Sequence, residues 1–502
     1  MGSSPAGGIS SNGRNRGFQR SRHTRPNAPT PRPREQEVFL QFGLMDNQHI
    51  PALLDRQRAF YESGQTRPVT FRVERLRALE HAIRSNEQAI LAALHADLRK
   101  SEVESFVSEI STSLEDLKYI RRRLKGWAKP YRVSAHWSQL PGSAWIYPEP
   151  HGVTLIIGPW NFPFLLMIAP LVGAIAGGNC AVLKPSEFAP HTSRLLARMI
   201  AETFDPAHVT VIEGDGRTAQ ALLAHRFDLI FYTGGPTVGK LILQAAAQHL
   251  TPVILELGGK SPAIVDADVD LAVATRRIVW GKFTNAGQIC IAPDYVLIDH
   301  RLKDAFLEQA HTTIRAFFGN DPQRSPDYGR IVNERHFNRL CGLLAYGRIV
   351  CGGQADAGER YIAPTLIDAP ALDSPLMQEE IFGPLLPVLS YDSLDEAIHF
   401  VHARPKPLAL YFFSRNRVHQ ERILQQTSSG GACINDVIFH FANPALPFGG
   451  VGASGMGKYH GRHSFDTFTH PKAVLKKPLW ADFPQRYMPY PPGLLRLLRR
   501  LI

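Results

Sequence analysis

The chain lacks several features that would place it in familiar classes. Its five cysteines, Cys180, Cys290, Cys341, Cys351 and Cys433, are odd in number and form no CxxC pair. That excludes a disulfide framework and a zinc ribbon, and it points to a reducing, cytoplasmic setting where a thiol stays free. The 20 histidines make no HExxH and none pairs with a cysteine at zinc spacing, so no metal site is expected. No apolar run reaches the roughly 18 residues that span a bilayer. Leu155 to Ala176 comes nearest, but Pro159, Asn161 and Pro163 interrupt it. Acidic residues are absent from positions 1–34, which hold seven arginines of a chain whose net charge is +11. The remainder carries only about +4, so the basic balance belongs to one end and no nucleic-acid partner is expected.

What is present fits a globular protein of two or three domains. The chain has 502 residues, 44% hydrophobic and 20% charged. Residues 1–36 are rich in Gly, Ser, Asn, Pro and Arg. They hold too little apolar surface to offset their ordering entropy and read as a disordered basic tail. An Arg-rich, acid-free stretch also suits a targeting segment, but Pro26, Pro29, Pro31 and Pro33 oppose a helix there. The start lacks the Ser or Thr at position six that myristoylation needs.

Residues 50–127 read as helical, with Leu76, Leu79, Ile83, Ile90, Leu91 and Leu94 at helical spacings. A strand–helix alternation follows, the pattern of a doubly wound α/β fold. Strands are expected at Val153–Ile157, Ala181–Leu183, Val209–Ile212, Leu229–Tyr232 and Val253–Leu255. Helices are expected at Phe164–Ala176, Thr192–Thr203, Ala219–Ala224 and Val238–Ala247. A similar pattern resumes after residue 260, which makes two α/β units with Glu256 near their junction. His136, Ser138 and Leu140 alternate as a strand would.

The strand at Leu229–Tyr232 leads into Thr233-Gly234-Gly235-Pro236-Thr237-Val238-Gly239-Lys240. Glycines there allow a tight turn, and the next helix can aim its N-terminus at a pyrophosphate. Gly234 to Lys240 and Gly452 to Lys458 both spell GxxxxGK, but Leu241 and Tyr459 replace the magnesium-binding hydroxyl of a P-loop. Glycines at an ordinary strand-to-helix turn are the plainer alternative.

Cys290 closes the run Phe283-Thr284-Asn285-Ala286-Gly287-Gln288-Ile289-Cys290, and Glu256 opens Glu256-Leu257-Gly258-Gly259-Lys260. An ionised thiol is a strong nucleophile and a carboxylate can activate water. Together they suit attack on a carbonyl and hydrolysis of the resulting thioester. A buried structural cysteine and a solvated glutamate would be the ordinary reading of either residue alone. The flanking glycines let backbone approach a ligand on both sides.

These two segments resemble those of the NAD(P)-dependent aldehyde dehydrogenases. Further matches are Pro159-Trp160-Asn161-Phe162-Pro163, Lys184-Pro185-Ser186-Glu187, Phe231-Tyr232-Thr233-Gly234-Gly235 and Glu379-Glu380-Ile381-Phe382-Gly383-Pro384. Ala292-Pro293-Asp294-Tyr295, Leu446-Pro447-Phe448-Gly449-Gly450-Val451-Gly452, Tyr459-His460-Gly461 and Ser464-Phe465 look like the class 3, or fatty-aldehyde, branch. The resemblance implies a Rossmann-type cofactor domain (48–128 and 152–257), an α/β catalytic domain (258–440) and a small bridging β element (129–151 and 441–480). Residues 1–47 and 481–502 fall outside these.

By that resemblance Cys290 is the nucleophile, Asn161 and the Cys290 N–H hold the oxyanion, and Glu256 activates water. Lys184 and Glu187 lie near the adenosine ribose, Gly234, Gly235 and Gly239 near the pyrophosphate, and Glu380 and Phe382 near the nicotinamide. A carboxylate at Glu187 disfavours a 2′-phosphate and so favours NAD, while class 3 members often take NADP as well. Medium- or long-chain aliphatic or aromatic aldehydes are the implied substrates, and a homodimer is the implied assembly. A relative that passes its thioester to coenzyme A is the alternative, which retention of Glu256 disfavours. A tail-mediated membrane or nucleic-acid binding protein would be a different class altogether.

The chain ends Gly493-Leu494-Leu495-Arg496-Leu497-Leu498-Arg499-Arg500-Leu501-Ile502. At about 100° per residue the arginines share one side and the leucines fill the other. That is a basic amphipathic segment, too short to span a bilayer. It suits either weak attachment to an anionic membrane surface or docking on the protein itself.

Overall fold

A computed structural model describes residues 49–501. The expectations for residues 1–47 lie outside the described residues.

The first described segment is helical, as its periodicity implies, with helices at Ile50–Glu62, Val69–Ser85, Glu87–Leu98, Glu102–Ser105 and Thr112–Trp127. Leu76, Leu79 and Ile83 of the second helix and Ile90 and Leu94 of the third are buried. A π-helical turn, Phe106–Ser111, interrupts the last pair, and nothing in the periodicity announces it.

Strands then follow in chain order. They are β1 (Tyr131–Val133), β2 (Ser143–Pro150), β3 (Val153–Ile157), β4 (Cys180–Lys184), β5 (Val209–Val211), β6 (Leu229–Thr233) and β7 (Val253–Glu256). The second unit holds β8 (Pro262–Val265), β9 (Tyr295–Asp299), β10 (Arg348–Cys351), the hairpin β11 (Ala355–Asp356) and β12 (Tyr361–Ile362), β13 (Thr365–Asp368), β14 (Leu385–Tyr391), β15 (Ala409–Phe413) and β16 (Gly431–Ile434). Last come β17 (Gly455–Met456) and β18 (Thr469–Lys476).

One sheet has the order β17-β7-β6-β3-β4-β5, parallel except for β17. The chain runs outward from β3 to β5, then returns to place β6 on the other side of β3. The strand order therefore reverses between β3 and β6, where a doubly wound sheet opens its ligand crevice. A second sheet has the order β10-β13-β14-β9-β8-β15-β16, parallel except for β10. Its central strands, like those of the first sheet, are apolar and buried on both faces, as parallel sheets require.

The helix Leu165–Gly177 is buried along its whole length. Gly178 ends it with φ 91°, and a Cβ there would lie 2.6 Å from the Arg72 guanidinium. Arg72 donates to the Ala176 carbonyl at 3.1 Å and so satisfies one of the orphan carbonyls of that end. Other helices start two residues earlier than their apolar pattern suggests, at Pro190 and Pro236. Proline suits the first helical position, because its missing N–H would be unsatisfied there anyway.

A third sheet, β1-β2-β18, stands apart. His136, Ser138 and Leu140 are not a strand within it. They form a single 3-10 turn between β1 and β2, in which the Ser138 N–H donates to His136 Nδ1 and the His136 N–H to Gln139 Oε1. Local side-chain bonds outcompete the ladder that a short alternation suggests.

Candidate functional site

The carboxyl edge of the first sheet faces the loops that enter the second. Asn161 follows β3, Lys184 closes β4, Gly234 and Gly235 follow β6, and Glu256 closes β7. From the other unit, the loop carrying Cys290 precedes β9 and the loop carrying Glu380 and Phe382 precedes β14.

The approach to Cys290 is unusual backbone. Asn285, Ala286 and Gly287 are all left-handed, with φ of 50°, 51° and 74°. Side chains seldom adopt that conformation, so surrounding bonds must hold it. Gln288 supplies several: its amide donates to the Asn285 and Arg330 carbonyls at 3.0 Å, and its Oε1 accepts the Val332 N–H at 3.0 Å. After the cysteine, Tyr411 of β15 donates its hydroxyl to the Ile291 carbonyl at 2.5 Å. Cys290 is itself only partly buried. Burial pushes its thiol well up, and the Glu380 and Glu256 carboxylates push the same way. The backbone N–H groups of Cys290 and Ile291 oppose the rise.

Asn161 is 2% exposed. Its Nδ2 donates one hydrogen to the Gln288 carbonyl at 3.0 Å, which leaves the second free to donate elsewhere. Its backbone carbonyl accepts from Asn285 Nδ2 at 2.9 Å and from Lys100 Nζ at 2.8 Å. The amide is therefore locked to the loop that presents the cysteine.

Glu256 is 2% exposed, and neither carboxylate oxygen has a hydrogen-bond partner among the described residues. Burial alone holds its carboxyl well above the usual range. β17 pairs Gly455 with Glu256, and Gly449 runs so close that a Cβ would lie 3.1 Å from Glu256 Oε1. Reciprocal bonds between Phe448 and Tyr459 hold that stretch in place. A buried, unpaired carboxyl whose charge acts on the Cys290 thiol can take a proton once it ionises.

Glu380 is a second such carboxyl, with Oε1 unpartnered. Burial pushes it up to about 8, against the Gly259 N–H. It stands against Gly258, where any Cβ would lie 2.2 Å from its oxygens. Phe382 has φ 48° and meets Trp160 edge-on at 5.2 Å. Lys260 holds this loop by donating to the Leu376 and Glu379 carbonyls, each at 2.8 Å, and by pairing with Asp294. Asp294 in turn accepts the Ile381 N–H at 2.9 Å, and Arg339 donates to the Ile381 carbonyl at 2.6 Å.

Gly235 caps the helix Pro236–Ala247 with no side-chain acceptor, and open space lies beyond it. The helix N-terminus is therefore free to receive an anion. Gly239 packs on Leu257 instead, 3.1 Å from where its Cβ would be, and so serves helix–strand contact. Lys184 is buried and donates to Glu187 Oε2 at 2.8 Å, with Glu187 reaching solvent.

Lys260 and Asp294 lie inside the motifs but carry no chemistry that singles them out in sequence. Asn285 and Gln288 are alike in this. Arg339, Lys100 and Glu109 give no sequence signal at all.

The sequence model of the aldehyde dehydrogenase family matches residues 20–474. Human aldehyde dehydrogenase family 3 member B1 is 48% identical over 448 residues, 89% of this chain and 96% of that protein. A dog protein named aldehyde dehydrogenase, dimeric NADP-preferring, is 46% identical over 450 residues, 90% of this chain and 99% of its own. A solved structure of Staphylococcus aureus AldH in its substrate-bound state superposes with a TM-score of 0.87 at 47% identity, covering 90% of this chain and 99% of the other. The chain belongs to the aldehyde dehydrogenase family, class 3 branch, and is an NAD(P)-dependent oxidoreductase that converts aldehydes to carboxylic acids.

Proposed function

We propose that Cys290, Asn161 and Glu256 carry this oxidation, on medium- or long-chain aliphatic or aromatic aldehydes. The observation that supports it most is the bond that ties Asn161 to the loop ending in Cys290, together with a buried, unpartnered Glu256 whose charge acts on that thiol. Ionised Cys290 attacks the aldehyde carbon. The free hydrogen of Asn161 Nδ2 and the Cys290 N–H donate to the oxygen as it becomes negative. Loss of hydride from the same carbon leaves a thioester on Cys290. Ionised Glu256 takes a proton from water, the water attacks the thioester carbon, and the acid departs as the thiol is regenerated.

NAD or NADP fits the residues present. The orphaned Glu380 oxygen, the open Gly235 N-terminus and the Lys184–Glu187 pair are donors and acceptors for hydroxyls and a pyrophosphate. Bound there, the cofactor supplies a nicotinamide that accepts hydride. Glu187 favours a free 2′-hydroxyl and so NAD, while a relative named NADP-preferring supports use of NADP as well.

The test is NADH and NADPH formation from hexanal and benzaldehyde with the acid measured as product. Cys290→Ser should abolish turnover and leave cofactor binding intact, since a hydroxyl is a poor nucleophile near neutral pH. Turnover that requires coenzyme A would instead mark an acyl-transferring enzyme.

We infer a homodimer that uses the third sheet. Tyr131, Trp137, Leu140 and Leu475 are exposed on and beside it, an apolar surface that a second copy of this chain would cover in a homodimer. A relative named as dimeric supports the reading. A monomer mass by light scattering at micromolar concentration would refute it. Free cysteines suit a reducing, cytoplasmic setting, and the basic amphipathic C-terminal helix offers a surface for peripheral membrane contact.

A further inference from the structure

Lys100 and Glu109 make an ion pair at 2.5 Å in which both side chains are 0% exposed. Neither belongs to a motif. Lys100 follows the helix Glu87–Leu98, which ends at the left-handed Arg99. That turn sends the Lys100 side chain inward instead of into solvent. Its ammonium touches Glu109 Oε1, donates to the Asn161 carbonyl at 2.8 Å and lies 3.9 Å from the centre of the Phe162 ring.

Glu109 sits in the π-helical turn Phe106–Ser111. Such turns are rare, and they recur where a helix must aim a side chain at a functional site. Its second oxygen accepts the N–H groups of Phe164 and Leu165, at 2.9 and 3.2 Å. The helix Leu165–Gly177 has no side-chain cap of its own, so Glu109 caps it from another segment and places negative charge at its positive end.

A neutral acceptor would suffice for capping. A buried ion pair contributes little net stability over a neutral or apolar replacement, because both charges must leave water. The third contact is what remains to be explained. Lys100 fixes the Asn161 carbonyl from the helical layer, while Asn285 fixes it from the cysteine loop. The same residue's amide is bonded to Gln288.

We propose that Lys100 and Glu109 are a positioning pair for the oxidation: they set the Asn161 backbone, and through it the donor to the oxyanion, relative to Cys290. This rests on the role given to Asn161 above. Neither residue touches substrate in this scheme, and each acts through Asn161.

A double-mutant cycle separates positioning from general structural support. Lys100→Met and Glu109→Gln are made together, so that no charge is left buried alone, in the otherwise native chain and in the Asn161→Ala chain. Single-turnover NADH formation from hexanal at saturating NAD is the readout, with KM for hexanal and the affinity for NAD measured alongside. The neutral pair should lower the rate constant about 100-fold, as misplacement of a preorganised donor does. KM and NAD affinity should stay within about threefold, because ground-state binding does not use the oxyanion donor. In the Asn161→Ala chain the same pair should cost less than about threefold, since its target is gone. Glu109→Asp, which keeps the charges but shortens the arm, should give a smaller loss that also vanishes without Asn161. It carries the cycle should the neutral pair not fold. A native rate, or an equal loss in both backgrounds, overturns the proposal. A native rate in Asn161→Ala itself overturns the role of Asn161 and this proposal with it, whereas a slow Asn161→Ala with additive losses overturns only the proposal.

Discussion

Asn161 and Gln288, from the two α/β units, are joined by one hydrogen bond from the Asn161 amide to the Gln288 carbonyl at 3.0 Å. The bond fixes a neutral donor to the segment that ends in Cys290. Asn161→Ala removes both the bond and the donor. Hydride formation should fall about 10²- to 10³-fold, as for loss of one oxyanion donor. Alkylation of Cys290 by iodoacetamide, followed by mass spectrometry, should continue at a similar rate. If hydride formation persists at the native rate, Asn161 does not stabilise the oxyanion.

Glu256→Gln keeps the shape of the side chain and removes its basicity. Thioester hydrolysis should slow about 10²- to 10⁴-fold, the usual weight of a general base. The first turnover should still release NADH as a burst equal to the number of active sites. Rapid-mixing absorbance at the NADH band reads both phases. Loss of the burst together with the steady rate would assign Glu256 to activating the thiol.

The same carboxyl sets a pH dependence. Because burial holds Glu256 well above the usual range, its basic form is scarce in mild acid and grows as pH rises. Steady-state turnover limited by hydrolysis should therefore climb as pH rises from mild acid towards alkaline values. Cys290 is raised as well, so hydride formation climbs too. The two are told apart by the burst in Glu256→Gln, which reports the thiol alone. A flat profile across this range would contradict the raised Glu256.

The sequence made the candidate site legible because a thiol and a carboxylate flanked by glycines, with an amide between aromatics, are unusual enough to stand out. It made most of the first sheet legible because blocks such as Leu229–Thr233 are almost wholly apolar and buried. What holds those groups in place was not legible. Lys260, Asp294 and Arg339 fix the Glu380 loop through backbone carbonyls and N–H groups, which any polar residue type can engage. Lys100 and Glu109 look like surface charges in a helical stretch until the left-handed Arg99 and the π turn direct them inward. His136 to Leu140 misleads in the opposite sense, because three alternating residues carry less weight than one capping bond.

Asp116 gives a prediction on stability. It accepts the Gly461 N–H at 2.9 Å through Oδ1, while Oδ2 has no partner among the described residues. Burial pushes its carboxyl up to about 6 from an ordinary 3.8. A folded-state value above the unfolded one means that stability is full below the unfolded value and is lost as pH rises through the folded one. An amide in place of this carboxyl would keep the Oδ1 acceptor and escape that loss. Asp116→Asn should thus match the native protein near about pH 4 and exceed it by about 3 kcal/mol above about pH 7. Spread over a chain of this size, that is roughly 3 °C in thermal midpoint. An equal midpoint difference at both pH values would refute the account.

The C-terminal helix Leu494–Leu501 forms as its pattern suggests, and its apolar side is uncovered. Leu495 and Leu497 are 62% and 56% exposed, so the helix is not docked on the described residues of its own chain. Leu479, Trp480, Phe483, Met488 and Tyr490 are exposed just before it. Aromatic and aliphatic side chains beside Arg496, Arg499 and Arg500 match the interface of an anionic membrane, where apolar groups enter and charges meet headgroups. No helix among the described residues is long and apolar enough to cross a membrane, so any attachment through these residues is peripheral. Removal of residues 1–34 from every chain compared eliminates binding by the arginine-rich tail alone. The remaining chain should pellet with vesicles of phosphatidylserine and phosphatidylcholine, and less so as salt screens the arginines. A chain ending at Gly493 should pellet substantially less. Equal pelleting of the two would remove the helix from membrane binding and leave its exposed leucines to be covered by the second copy of a dimer.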